Sequence, residues 1–163
     1  MSTVQIRPAE PSDAPRILAL IQALALYEKE PDAVEVDAET LRAQLGADRP
    51  PFECVLAMDG AEAVGFALYF QTYSTWRGRP GMWLEDLFVV PESRGRGIGK
   101  LLLSHLAAET VRREYGRLEW SVLDWNESAI RFYESLGAAP MDEWTTHRVD
   151  RDSLSTLAKT ATR

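Results

Sequence analysis

The sequence predicts an α/β (α+β) domain: a central mixed, mostly antiparallel twisted sheet with one splayed parallel strand pair, flanked by helices. Three observations carry this. Two apolar runs, 52–58 and 63–72, surround Asp59-Gly60, the signature of a β-hairpin. A third run, 82–90, leads through a glycine-rich turn into an amphipathic helix and then a fourth run, 118–123; that is a βαβ crossover with parallel strands. Two segments of helical periodicity precede the hairpin. At 163 residues, 45% apolar and 26% charged, the chain suits one globular domain over 1–163 with a genuine core.

The elements follow in order. Residues 4–7 read as a first strand. Ser12 or Asp13 can cap a helix, with Pro15 tolerated in its first turn. Ile17, Leu18, Leu20, Ile21, Leu24 and Ala25 then recur at helical spacing, and the pattern frays through Tyr27-Glu28-Lys29-Glu30 to Pro31. Asp37 can cap a shorter helix holding Leu41 and Leu45, closed by Gly46. After the hairpin, residues 78–81 form a second turn before the strand 82–90, which Pro91 stops. Ile98, Leu101, Leu102, His105 and Leu106 share one face of the next helix. Asn126 caps a helix through Leu136, stopped by Gly137; residues 144–149 read as a last strand before a polar tail.

Bulk properties exclude several function classes. A net charge of −7 argues against nucleic acid as a partner and is compatible with cationic substrates. No apolar run reaches the roughly 18 residues of a membrane span, and the N-terminal segment does not read as a signal peptide. Cys54 is the single cysteine; between apolar neighbours it reads as an inert buried thiol, and a reducing cytoplasm fits. His105 and His147 lack a metal-ligand spacing, and nothing suggests a metal.

The most informative stretch is Arg94-Gly95-Arg96-Gly97-Ile98-Gly99-Lys100. Three alternate glycines strip side chains from a strand-to-helix junction and leave backbone N–H groups bare at a positive helix end, which suits a diphosphate. A P-loop would need glycine at 94 and Ser or Thr at 101, where Arg94 and Leu101 stand. A Rossmann turn is G-x-G-x-x-G, and this one is G-x-G-x-G. A tight turn without a ligand is the remaining alternative.

This turn after a strand resembles the acyl-CoA signature of the GNAT acetyltransferase superfamily. Further blocks are similar to its diamine acetyltransferase branch, which holds the spermidine/spermine and thialysine acetyltransferases. They are Ile6-Arg7-Pro8-Ala9, Leu24-Ala25 with Tyr27-Glu28, Val64-Gly65-Phe66-Ala67, Tyr73-Ser74-Thr75-Trp76, Leu84-Glu85-Asp86-Leu87, Asp124-Trp125-Asn126-Glu127, and Phe132-Tyr133 with Leu136-Gly137-Ala138. The resemblance implies a GNAT fold and an acetyl-CoA-dependent N-acetyltransferase acting on a small cationic amine. It implies that the backbone of Arg94 through Lys100 holds the CoA diphosphate. Leu87, Phe88 and Val89 would bond the pantetheine arm through their backbone, with Leu87 N–H toward the thioester oxygen. Asn126 and Ser128 would meet the cofactor's other side, Tyr133 would face the sulfur, and Tyr27 and Glu28 would help bind the amine. A homodimer whose partner helps build the acceptor site is also implied.

The chemistry assigns roles. An alkylamine with a pKa near 10.4 is about one part in 10³ neutral at pH 7, so losing its proton costs roughly 4 kcal/mol. Glu85, mid-strand where a carboxylate has no packing value, is the candidate to hold the ammonium and relay that proton through water. Asp86 points to the opposite face by strand alternation and there caps or pairs structurally, with a substrate role left open by the resemblance. Tyr133 is the candidate hydrogen-bond donor to the departing sulfur. Where Ser74 stands, polyamine-acetylating members carry an acidic residue and thialysine-type members have Tyr-Ser-Thr-Trp as here, so the resemblance favours a smaller amine than spermine. Two alternatives stay open: a protein or peptide amine as acceptor, and an acyl-CoA-binding regulatory module without turnover.

Overall fold

The computed structural model describes residues 3–161 and divides at Ser121/Val122 into two compact units. The first carries β1 (Gln5–Pro8), α1 (Ala14–Tyr27), α2 (Ala38–Leu45), β2 (Glu53–Asp59), β3 (Glu62–Ser74), β4 (Arg79–Val89), α3 (Ile98–Arg112) and β5 (Leu118–Glu119). The five strands lie in the order β1-β2-β3-β4-β5, antiparallel up to β4 and parallel between β4 and β5. Ala14, Ile17 and Leu20 of α1 pack with Leu56, Phe66, Leu68 and Phe88 on one face of the sheet. On the other face Met82 meets Thr110 of α3, and Leu102 and Leu106 are fully buried.

Strand β4 departs from strict alternation. Leu68 pairs with Asp86 and Tyr69 with Leu84, so Glu85 is an extra residue opposite no partner of its own: a β-bulge. The bulge switches the face that β4 presents. Met82 lies toward α3, whereas Asp86 and Phe88 stand opposite Leu68 and Phe66, on the side covered by α1. The expectation that Asp86 turns away from Glu85 is therefore corrected. Bulges also bend their strand. The parallel ladder with β5 ends at Trp83/Glu119, immediately before this bend, so β5 stops at Glu119 and the expected strand over 120–123 does not form. Beyond Trp83, no strand among the described residues pairs with that side of β4.

Three further differences lie at the ends of elements. Asp37 caps α2 as expected, its Oδ1 accepting from Thr40 N at 2.7 Å, and Gly46 closes that helix. Asp13 occupies the cap position of α1, but its carboxylate makes no capping bond. It accepts from Arg7 Nη1 and Nη2 at 2.7 and 2.8 Å and from Glu10 N at 2.9 Å, tying β1 to the start of α1. The far end of α1 does not fray. Lys29 adopts φ 65°, Glu30 N bonds Ala25 O and Lys29 N bonds Leu26 O, which closes the helix in a Schellman motif and fixes Tyr27 and Glu28. Strand β4 begins at Arg79, three residues earlier than expected, because the turn is completed by residues 75–78.

The second unit contains α4 (Glu127–Ser135) and α5 (Arg151–Ala158). Asn126 Oδ1 accepts from Ala129 N at 3.3 Å, and Gly137 at φ 90° closes α4, with Ala138 N bonding Tyr133 O. Residues 144–149 form no strand among the described residues, and Trp144 and Val149 are exposed. A strand needs a partner strand to pair with, and no described strand pairs with this segment. Helix α5 falls in the stretch expected to be a polar tail.

The Arg7 guanidinium beside Asp13 holds that buried carboxyl well below the usual carboxylate range. Its folded-state pKa is lower than the unfolded value, so the pair contributes stability above about pH 4 that is lost as the pH falls further. Asp13→Asn should lower unfolding free energy at pH 7 by about 2 kcal/mol, with the gap to wild type narrowing below pH 4 in urea titrations.

Candidate active site

The glycine turn sits where β4 hands over to α3. Residues Pro91–Ser93 make a short 3₁₀ turn, and Gly95 and Gly97 follow at φ 75° and 76°. Those angles cost an L-residue with a side chain roughly 1–2 kcal/mol, which explains the glycines locally. A Cβ on either would meet nothing within 4 Å, so the space in front of the loop is open. Leu101 N–H makes the first intrahelical bond, donating to Gly97 O, which leaves the N–H groups of Ile98, Gly99 and Lys100 without helical partners. Ile98 is buried and anchors the helix start; Lys100 is exposed. These features fit a diphosphate.

The two arginines of the loop are held elsewhere. Arg94 lays its guanidinium over the ring of Tyr27 at 4.8 Å and of Phe88 at 5.4 Å, and its Nε donates to Val89 O at 2.9 Å. Arg96 Nη1 donates to Asp59 Oδ2 at 2.7 Å in the β2–β3 turn. Both guanidinium groups are thus engaged within the protein. Leu87, Phe88 and Val89 are the last residues of β4, on its unpaired side before the loop; Phe88 buries its ring and Leu87 and Val89 are half-buried.

Three carboxylates gather upstream. Glu85 is exposed, and its Oε2 accepts from Trp83 Nε1 at 2.8 Å, so the indole aims it. Asp86 is half-buried and makes no hydrogen bond or ion pair with other described residues. Burial, then Glu85, then Glu28 push its carboxyl up to about 6. Glu28, held at the end of α1, is also pushed up by burial. Sequence reasoning singled out Glu85 and left Asp86 open. The bulge that makes them neighbours has no local signature, since Leu-Glu-Asp-Leu reads as an ordinary strand. Cys54 is buried and its thiol is pushed up to about 12 by burial, Asp13 and Asp86, so it is no nucleophile at neutral pH.

In the second unit, Asn126 uses its side-chain oxygen to cap α4 and also accepts from Ser128 Oγ at 3.2 Å. Tyr133 lies in the last turn of α4, its ring 5.4 Å from that of Phe132. Ser74 is buried, and its Oγ accepts from Arg77 N at 3.3 Å within the β3–β4 turn, while Tyr73 and Trp76 are exposed there.

Residues 17–138 match the acetyltransferase (GNAT) family. The chain belongs to the GNAT acetyltransferase family. It is 37% identical to the thialysine N-epsilon-acetyltransferase of Bos taurus, over 97% of this chain and 99% of that protein. It is 34% identical to the spermidine/spermine N(1)-acetyltransferase-like protein 1 of Homo sapiens, over 97% of this chain and 24% of that protein. An integron cassette protein from the mobile metagenome of V. cholerae superposes with a TM-score of 0.82 at 27% identity, over 98% of this chain and 99% of that one. The chain is accordingly an N-acetyltransferase, with the family's mixed sheet and parallel strand pair. Among the described residues no helix is long and apolar enough to cross a membrane.

The raised Asp86 carboxyl predicts a stability signature. Its folded-state pKa, about 6, lies above the unfolded value near 3.9, so the native state holds the proton more tightly. Ionised Asp86 therefore costs stability above pH 6, and the cost disappears as the pH falls below 4. Two pKa units correspond to about 3 kcal/mol, and partial solvation reduces this to about 1–2 kcal/mol. Asp86→Asn should raise Tm by about 2–6 °C at pH 7.5 and leave it unchanged at pH 4, read by thermal melts across that range.

Proposed function

We propose that this enzyme transfers the acetyl group of acetyl-CoA to a primary amine of a small cationic substrate, by direct attack in a ternary complex. The observation that carries the reading is the layout of β4. An acidic cluster without a fixed cation, Glu28, Glu85 and Asp86, stands a few residues before an open loop built for a diphosphate. One substrate is a cation and the other a polyanion, and one strand leads from the first site to the second.

In this reading the carboxylates hold the ammonium and take its proton. The freed nitrogen lone pair attacks the thioester carbonyl and the carbon–sulfur bond breaks; the second proton that nitrogen loses as the amide forms balances the one that the departing coenzyme A thiolate takes up. Tyr133, the residue matched by the family's sulfur-facing tyrosine, would donate a hydrogen bond as charge builds on sulfur. A phenol near 10 is a weaker acid than a thiol near 8.5, so full transfer is uphill by about 2 kcal/mol and comes late. Asn126 and Ser128 keep the cofactor role that the resemblance gives them.

The likeness to thialysine acetyltransferases supports a lysine-like amine or short diamine as acceptor. Ser74 supports the same choice, since it brings a turn-bound hydroxyl where an extra carboxylate would draw a polyamine. The family match crosses the boundary between the two units, which supports one catalytic domain. Exposed apolar side chains in the second unit, among them Met141, Trp144, Leu154 and Leu157, support a homodimer. A net charge of −7 speaks against nucleic acid, and a single buried cysteine suits the cytoplasm.

Free coenzyme A released from acetyl-CoA should rise on adding thialysine, lysine or a short diamine, more than with spermidine or a peptide. Acetyl-CoA binding without release on any amine would reduce the protein to a binding module. Tyr133→Phe should lower kcat by about 10- to 1000-fold with acetyl-CoA affinity nearly intact, and an unchanged kcat would remove Tyr133 from the mechanism.

A further inference from the structure

An arginine beside a diphosphate loop is ordinarily read as a ligand for phosphate. The side chain of Arg94 points the other way. Its guanidinium lies over the rings of Tyr27 at the end of α1 and Phe88 in β4, and its Nε donates to the carbonyl of Val89. One side chain thus joins the glycine loop, the last turn of α1 and the final residues of β4. Burial raises the neighbouring Glu28, and burial with Glu85 and Glu28 raises Asp86.

The residue that follows is Gly95 at φ 75°, with open space where a side chain would stand. Nothing packs the loop from that position; Ile98 and the Arg96–Asp59 pair hold it to the sheet side, and Arg94 supplies its contact with α1. At the other end of this link, Tyr27 and Glu28 are held by the Schellman closure, in which Lys29 and Glu30 donate their N–H groups. A planar guanidinium suits a contact shared between ring faces and a carbonyl; a lysine ammonium does not reproduce it.

We propose that Arg94 is a positioning residue that couples the two substrate sites, so that ordering of the glycine loop by coenzyme A is transmitted through Tyr27 to the amine-binding end of α1. This rests on the reading that the loop holds the diphosphate and that Tyr27 and Glu28 belong to the acceptor site. Coupling of this kind needs a contact that differs between the two states of the loop, and the proposal assigns that part to the Arg94–Tyr27 contact.

Hydrogen exchange on the full chain, with coenzyme A as the probe, tests this. In wild type, coenzyme A should slow exchange at residues 94–101 and also, by about three- to tenfold, at Lys29 and Glu30. In Arg94→Ala, coenzyme A should still protect the loop while the response at Lys29 and Glu30 disappears. Tyr27→Leu should lose the same response, Tyr27→Phe should keep it, and Arg94→Lys should restore it only in part. In turnover, Arg94→Ala should raise KM for the amine about tenfold, with a smaller change in kcat. If Arg94→Ala does not fold, Tyr27→Leu carries the test. A response at Lys29 and Glu30 that survives both substitutions overturns the coupling alone. Failure of coenzyme A to protect residues 94–101 in wild type overturns the reading of the loop, and the coupling with it.

Discussion

One extra residue in one strand organises this site. The bulge at Glu85 switches the side that β4 presents, so that Asp86 joins Phe88 under α1 instead of continuing the row of Met82 and Leu84. It also bends the strand where its parallel ladder with β5 ends. A regular strand would have carried its pairing further and sent Asp86 toward α3. The acidic cluster and the unpaired stretch of β4 before the glycine loop thus have one geometric cause.

Charge is sorted along that strand. The middle of β4 collects carboxylates with no fixed cation, while its far end opens onto backbone N–H groups at the start of α3. The two arginines that would blur this division are held by other groups, Arg94 by aromatic faces and a carbonyl, Arg96 by Asp59. On the proposed reading, an enzyme that brings a cation and a polyanion together without letting them pair directly benefits from such a layout. The indole of Trp83 adds a constraint, since it orients Glu85 while leaving Asp86 to respond to burial.

Much of this architecture was legible because it rests on local chemistry. The hairpin around Gly60, the caps at Asp37 and Asn126, and the stop at Gly137 follow from turn and capping preferences and appear where expected. The glycine loop was legible for the same reason, as only glycine suits its backbone. What could not be read depends on partners distant in sequence. Residues 144–149 have the composition of a strand, but no described edge pairs with them. Lys29 closes α1 in a left-handed conformation that usually announces itself by glycine, so the sequence carries no stop signal at the end of that helix. Asp13 has the identity of a cap, and only the fold shows that Arg7 claims its carboxylate. The bulge belongs here too, since register is a property of two strands.

The acidic cluster poses a physical problem that its own burial helps resolve. Carboxylates that hold an ammonium also raise its pKa, which opposes the deprotonation that attack requires. Burial works against this, because it disfavours the charged form of both partners: it raises a carboxyl and lowers an amine. An ordinary carboxylate near 3.9 lies more than six pKa units below a free alkylamine, whereas Asp86 at about 6 lies some four units below it. Moving a proton from the bound ammonium to Asp86 leaves two neutral groups where two charges stood, and the half-buried position favours that exchange. In the proposed mechanism the same desolvation that makes Asp86 costly in the unliganded enzyme thereby narrows the gap the proton must cross.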